Sequence, residues 1–557
     1  MQFRMKLLPL ALLALGQNAY AQALPGAGTQ LRQVTPPTLP QAAAPTIRIE
    51  EASAAPASDA SSATVLVNDL QFSGARVYPA TQLLAITQFR PGSQLTLGQL
   101  QAMAARITEH YRRHGYFVAR AYLPAQDITG NVVTIAVSEG KYGQINLRNQ
   151  SRLDDQRARD VLAGIDSGDT IKLLPLENRL LLLSDIPGVR VTSTLVPGAT
   201  PGSSDLLVDV VDNRRISGQV DIDNAGNPYT GEWRAGGSVY FNNLAGRGDV
   251  AGLRVQTSGR GLTYGRAFYQ MPFGPATVGV AYSRLDYALG KQFSDLGAHG
   301  TADVASLYGS LALVRSRNSN LYFGAGYDHK TLKDELDLFP GAGREAQLGV
   351  AYVSLYGNHE DQFGGGGMNA FFVSASRGNL DIQTPDALLA DAVTSRTNGS
   401  FGKLNLSASR LQRLGASWSL NAAVSAQLAS KNLDPSEKFV LGGMDGIRGY
   451  PQGEAYGDEG YLASLEARYL LGRASRNVPG QVHLLGFVDT GKVTINKDPW
   501  YAGPKGRSLS SAGVGATWND PGNYALRMYY AVKLGDEPAM SAPDKSGRFW
   551  IQAIKYF

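Results

Sequence analysis

Two short stretches near the C-terminal end carry residues able to do polar chemistry in a confined place. One is Gly442-Gly-Met-Asp-Gly-Ile-Arg-Gly-Tyr450, and the other is Gly486-Phe-Val-Asp-Thr-Gly491. A guanidinium and a carboxylate can form two parallel charge-assisted hydrogen bonds. Strand alternation puts His483, Leu485, Phe487 and Asp489 on one face, so Asp489 points where a loop arginine could reach it. Taken alone, Arg448 in its glycine-rich loop reads as a solvated turn. The chemistry these residues suggest is a structural ion pair rather than a reaction.

Other chemistries fit worse. Gly486 to Lys492 matches G-x-x-x-x-G-K, but Val493 stands where a magnesium-binding hydroxyl belongs. Phe487 and Val488 are bulky where a phosphate cradle wants small residues, so no nucleotide is expected. There is no cysteine and there are six scattered histidines, which disfavours a thiolate site and a metal cage. No Ser-His-Asp order, H-E-x-x-H or G-x-S-x-G occurs, so no catalytic residue and no cofactor is expected. Carboxylates such as Glu466 read as partners for arginines. A formal charge of +5 over 557 residues, with no dense basic cluster, gives no nucleic-acid face.

The elements holding the two stretches read as membrane strands. In Tyr524 to Lys533, Tyr524, Leu526, Met528, Tyr530 and Val532 share one face. Ala525, Arg527, Tyr529, Ala531 and Lys533 share the other. Tyr461 to Leu471 alternates likewise, with Ser464, Glu466 and Arg468 on the polar face. That pattern is lipid outside and a polar lumen inside. The chain ends on the alternating strand Gly547 to Phe557, and Phe557 is the kind of terminal aromatic that ends outer-membrane barrels. Lipid offers no partner to a strand edge, so such strands must close into a barrel. Over residues 214–557, sixteen strands, give or take about two, would have about 21 residues each with its connection. Met271 to Pro275 reads as a short turn and Leu289 to Thr301 as a longer loop.

The N-terminal part reads differently. Arg4 and Lys6, the apolar run Leu7 to Leu15 and Ala19-Tyr20-Ala21 form a signal peptide cleaved after Ala21. No later run is apolar enough for a spanning helix. Residues 35–63 are rich in Pro and Ala and predict a flexible linker. Residues 64–140 form an α+β unit. Its expected first strand is Val65 to Phe72. Thr96-Leu-Gly-Gln99 opens a helix with a capping box, and Gly115 closes it. Residues 141–213 repeat the plan: a strand from Tyr142, helices at Asp154 to Ala163 and around Leu176, Leu180 and Leu183, then two closing strands. Two units of order β-α-α-β-β are expected.

The mature chain resembles the two-partner secretion transporters (TpsB type), which export filamentous haemagglutinin and Serratia-type haemolysins. Tyr111 to Gln126 with Glu139-Gly140 resembles the first of the family's periplasmic POTRA domains. Asp185 to Val189, Leu195 to Gly198 and Gly202 to Leu206 resemble the second. Asp223-Asn224 with Tyr229-Thr-Gly231, then Asn243-Leu-Ala-Gly-Arg-Gly-Asp249, resemble the first barrel strands. Ile447-Arg448-Gly449-Tyr450 matches the loop motif V-R-G-Y/F. Phe487-Val-Asp489-Thr-Gly491 matches the wall motif F-x-D-x-G. The resemblance implies two periplasmic POTRA domains, a sixteen-stranded outer-membrane barrel, and export without ATP of one large unfolded exoprotein carrying an N-terminal secretion domain. Outer-membrane lipid and the barrel-assembly machinery are the other partners implied. Two departures stand out. Gly26, Gly28 and Pro36-Pro37 leave about Thr29 to Val34, within residues 22–34, for the family's plug helix. Lys555 replaces the usual aromatic or apolar residue near the terminus. A barrel-assembly chaperone and a passive porin or adhesin remain as alternatives.

Overall fold

The computed structural model describes residues 24–34, 46–49, 63–473 and 479–557. The expected signal peptide and Ala21 lie outside them. Among the described residues no helix is long and apolar enough to cross a membrane.

The first α+β unit packs two helices on a three-stranded sheet, Asp69–Ser73, Val132–Ser138 and Arg120–Tyr122. Val133, Ile135 and Val137 are buried together. Leu97–Arg113 starts on Thr96, whose hydroxyl accepts from Gln99 N while the Gln99 side chain accepts from Thr96 N. The single strand expected over Val65 to Phe72 is instead two, Thr64–Val67 and Asp69–Ser73, in different sheets. Val67 and Leu70 are both buried. Three residues apart, they cannot share a face of one strand, so the chain breaks at Asn68. Sequence marks do not place the other helix, Ala80–Thr87, which lacks a side-chain cap and ends on Gln88 at φ 59°.

In the second unit, Asp155–Leu162 and Leu173–Ser184 cover a sheet ordered Thr46–Ile49, Val189–Pro197, Ser203–Asp212, Lys141–Gln150. Leu176, Leu180 and Leu183 are buried. Of the expected linker, residues 35–45 and 50–62 lie outside the described residues, and Thr46–Ile49 within it departs from that expectation by forming a strand. It pairs in parallel with Val189–Pro197, Thr46 opposite Thr192. Thr-Ile-Arg-Ile is a β-prone run in a segment judged on its prolines and alanines, and an open sheet edge supplies its partner.

Sixteen antiparallel strands, Ile216–Asp223 through Gly547–Tyr556, form a closed barrel. The first pairs with the last from Gln219 opposite Tyr556 to Asp223 opposite Gln552. Phe557 N donates to Gly218 O and Gly218 N donates to Phe557 O, each at 3.0 Å. A Cβ on Gly218 would lie 2.4 Å from the Phe557 ring, so this glycine makes room for the terminal aromatic. The Lys555 ammonium reaches Asn523 in the turn before the fifteenth strand, as snorkelling allows. Tyr530 and Val532 face outward while Tyr529 and Ala531 are buried.

Two connections are shorter than expected. Phe273 pairs with Ala276, so Gly274-Pro275 alone turns the chain, with Gly274 at φ 60°. The loop after Ala288 ends before Ala298, because Ala298 and Ala302 already pack in the lumen. The longest connection, residues 430–458, joins Trp418–Ala429 to Glu459–Gly472.

Candidate functional site: a lumen lock and a plug

The long loop folds back into the barrel and brings its arginine to the wall. Arg448 Nε donates to Asp489 Oδ2 at 2.9 Å, and Nη2 donates to Oδ1 at 2.7 Å. Nη1 donates to Glu466 Oε2 at 2.9 Å. The guanidinium carbon lies 3.3 Å from the Phe487 ring centroid and 5.2 Å from that of Tyr529. An arginine can hold a fork of carboxylates in its plane and an aromatic face beneath it, which a lysine cannot. The Arg448 side chain is 7% exposed and that of Asp489 0%.

The flanking residues shape the fit. A Cβ on Gly449 would lie 2.7 Å from Ser511 Cβ and 3.1 Å from Lys533 N, so the backbone touches the wall there. Ile447 is buried with Leu441, Val493 and Leu509. Gly491 forms its floor, since a Cβ there would meet Ile447 Cδ1 at 3.4 Å. Tyr450 is fully buried, and its hydroxyl donates to Glu537 O at 2.9 Å.

Sequence reasoning missed several partners. Ser464, Asp489 and Ser511 face one another across three strands. Both hydroxyls donate to Asp489, at 2.8 and 3.2 Å. Trp550 Nε1 donates to Arg448 O at 2.7 Å. A second clasp joins the long loop to the last connection, residues 534–546. Glu454 accepts from Arg507 Nη1 at 2.9 Å, Met540 N at 2.7 Å and Ser541 Oγ at 2.6 Å. Arg507 Nε also donates to Glu537 at 2.8 Å. Strand register, which the sequence does not print, was the signal needed.

A short helix, Ala27–Leu31, stands in the lumen. It starts before the expected Thr29 and runs through Gly28. Asp334 takes the place of a cap residue, accepting from Ala27 N at 2.6 Å and Tyr287 Oη at 2.8 Å. A Cβ on Gly28 would lie 2.7 Å from Ser436 N, so glycine is what lets the helix seat there. Gln33 continues the contact, donating to Tyr456 Oη at 2.5 Å and accepting from Asn227 at 3.1 Å. Ser436 and Tyr456 both belong to the long loop, so that loop is the seat of the helix. Glu437 fastens this part of the loop to the wall between Lys330 and Lys403, at 2.5 and 2.6 Å.

The second α+β unit is tied to the barrel mouth. Arg315 Nε donates to Asp185 Oδ2 at 2.6 Å and Nη2 to Oδ1 at 2.8 Å. Arg317 pairs with Glu177 at 2.8 Å.

Among the described residues, no group of His, Cys, Asp or Glu could hold a metal ion. What the arrangement can do is close the lumen with two inserted parts, the short helix and the long loop, each held by polar contacts.

Comparison with known proteins agrees with this geometry. The family described as haemolysin secretion/activation protein ShlB/FhaC/HecB matches residues 202–518, and the ShlB-type POTRA domain matches 65–140. The chain is 30% identical over 472 residues to the heme/hemopexin transporter protein HuxB of Haemophilus influenzae, covering 84% of this chain and 82% of that one. It is 26% identical to the outer membrane transporter CdiB of Dickeya dadantii, over 72% of this chain and 71% of that one. The solved structure of CdiB from Escherichia coli superposes with a TM-score of 0.69 at 21% identity, over 91% of this chain and 93% of that one. BamA from Haemophilus ducreyi lacking POTRA domains 1–3 gives 0.52 at 15% identity, over 88% and 100%; both structures speak to the fold. The chain belongs to the haemolysin secretion/activation (ShlB/FhaC/HecB) family of outer-membrane transporters that export a partner exoprotein, its barrel in the outer membrane and its POTRA domains in the periplasm.

Proposed function

We propose that this transporter takes one large, unfolded exoprotein from the periplasm and passes it through the lumen once the plug helix has left. The observation that carries the reading is how the pore is closed. Its plug has five helical residues, held by hydrogen bonds to Asp334, Tyr456 and Asn227 and by the packing of three small or medium apolar side chains, Ala27, Leu31 and Val34, in the lumen. Such a stopper can be withdrawn without unfolding the wall. A flexible tether of the length of residues 35–63 spans roughly 30 Å; the strand Thr46–Ile49 shortens that reach.

Recognition would begin on the POTRA domains, where an exposed strand edge and adjoining helix groove accept an extended chain by strand addition. This mode suits a partner with little fixed structure. The periplasm lacks ATP, and folding of the cargo outside would supply the drive, since each repeat of a β-solenoid gains an interface. Arg448 and Asp489 would hold the long loop while the chain passes. Phe557 would present the terminal strand to the assembly machinery, and the outward apolar face would meet outer-membrane lipid. HuxB is named for heme/hemopexin transport, so an exoprotein that scavenges heme is the first cargo class to test.

The test is quantitative mass spectrometry of culture medium and cell surface, with and without this protein. Loss of one large secreted protein, the outer membrane otherwise unchanged, is the expected result. A fall of many barrels together would make the protein an assembly factor and overturn the reading.

A further inference from the structure

The inner wall of the periplasmic half has a repeating surface. It is built on four adjacent strands, Ala298–Arg315, Ser319–Leu336, Arg344–Asp361 and Gly367–Ile382. Their outward face is apolar, with Leu307, Tyr327 and Val353 exposed toward lipid. On the inward face, Tyr322, Tyr356 and Phe372 stand opposite one another in a row across three strands. Tyr322 and Tyr356 are stacked, with centroids 5.3 Å apart and planes 15° apart. Two residues further up each strand comes a shelf of small residues, Ser310, Gly324, Ser354 and Ser374. Two residues above that, Tyr308 and Tyr352 form a second aromatic row with Gly326 between them. Of these inward residues, all but Tyr322 and Gly326 line a cavity of about 550 Å³.

The rings lie along the wall. A Cβ on Gly326 would be 2.5 Å from Tyr352 Cζ, and one on Gly279 would be 2.5 Å from Tyr308 Cζ. Each ring therefore covers a glycine on the neighbouring strand. One consequence is structural, the filling of the wall. The other is that flat aromatic surface borders the open space, beside Val350 and the charged ends of Asp328, Lys330, Lys403 and Glu437.

We propose that the two aromatic rows are a contact surface for an extended segment of the exported polypeptide. Two observations support this. The first is period. The rows are four residues apart along a strand, about 13 Å at about 3.3 Å per residue. An extended chain has the same rise, so its side chains i and i+4 meet successive rows while i+2 meets the Ser/Gly shelf. Aromatic faces bind chains of varied sequence, and rows separated by small polar residues let each contact break singly, which movement along a pore requires. The second is place. The wall continues from the POTRA–barrel contact, since Arg315, bound by Asp185, ends one of its strands and also donates to Asn320 at 2.9 Å, two residues before Tyr322. A chain handed over by the second POTRA domain meets these rows before it meets the plug. This proposal rests on the export reading above.

The chain has no cysteine, so Ser354→Cys places a single thiol on the shelf. In the full chain in lipid nanodiscs, the probe is an unstructured peptide of about 30 Asn, Gly, Ser and Val residues, long enough to span the wall. Maleimide labelling is measured against peptide concentration. Saturable protection is expected. Tyr352→Leu with Tyr356→Leu, which keeps the glycines covered, weakens it about tenfold, the worth of two ring contacts. Tyr→Phe at both positions keeps it. Phe372→Ser, at a partly exposed ring, gives a second variant should the leucine pair fail to assemble, and it too weakens protection. No protection, or protection indifferent to these changes, overturns the proposal. Failure of the secretion experiment with protection intact removes the export reading and leaves the peptide site standing.

Discussion

Replacing Arg448 by Ala should release the long loop while leaving the barrel assembled. Asp489 and Glu466 are buried, and Arg448 is their joint partner at 2.7 to 2.9 Å. Breaking a buried pair by removing one member costs about 3–5 kcal/mol. Part of that is offset here, because Asp489 keeps bonds from Ser464 and Ser511 and Glu466 keeps Arg468. The lower end, about 3 kcal/mol, is therefore the expectation. It falls on the loop rather than the wall, since the strands carrying Asp489 and Glu466 remain paired residue by residue. A thiol at Met444→Cys reports on this. Met444 is 2% exposed and packs with Leu485, Phe487, Tyr529 and Trp550. Labelling through a locally opened state tracks the opening equilibrium, so about 3 kcal/mol becomes roughly a hundredfold faster reaction. Arg448→Lys keeps the charge but loses the fork and should fall between. Secretion should drop more than barrel abundance, with heat-modifiable gel mobility retained. A labelling rate within about threefold of the parent, under 1 kcal/mol, would refute the reasoning and make Arg448 a passive loop residue.

Other expectations follow from the same geometry. Gly28→Val should unseat the plug, because even a Cβ lies 2.7 Å from Ser436 N; planar-bilayer conductance should show more frequent openings. Gly26→Ala should do less, since the nearest atoms to its Cβ belong to the Asp334 side chain, at 3.0 Å. Asp185→Ala leaves the Arg315 side chain, 7% exposed, without its carboxylate, and should raise protease cleavage around Asn213. In the first POTRA domain, Glu139 accepts from Arg76 N and Val77 N at 2.7 Å and from Tyr111 Oη at 2.9 Å. Burial, and then this hydrogen bond, raise the Tyr111 pKa above its ordinary value. A raised phenol contributes stability that is complete below about pH 10 and is lost as pH rises toward its folded value. Tyr111→Phe should therefore flatten the alkaline limb of hydrogen-exchange protection in this domain.

The sequence by itself determined a good deal, wherever a property is local and periodic. Alternation in Tyr524 to Lys533 and around Asp489 assigned a lipid face and a lumen face, because a strand has a period of two whatever it pairs with. The capping box at Thr96 and Gln99 marked a helix start because its donors and acceptors are three residues apart. The length was compatible with sixteen strands, give or take about two, since membrane thickness fixes what one strand must span; the family resemblance supplied the number and closure of the wall settled it. Only the tertiary structure decided which residues meet. Arg448 and Asp489 were each visible, but Ser464, Ser511 and Trp550 join them through strand register and closure. Val67 and Leu70 split an expected strand because both had to be buried. Thr46–Ile49 gained order from an edge that the second POTRA domain leaves open. Gly28 reads as a helix breaker along the chain, yet in the lumen it is the residue that fits against Ser436. Long-range contacts are set by where a closed wall brings distant strands, and the local pattern carries no record of that.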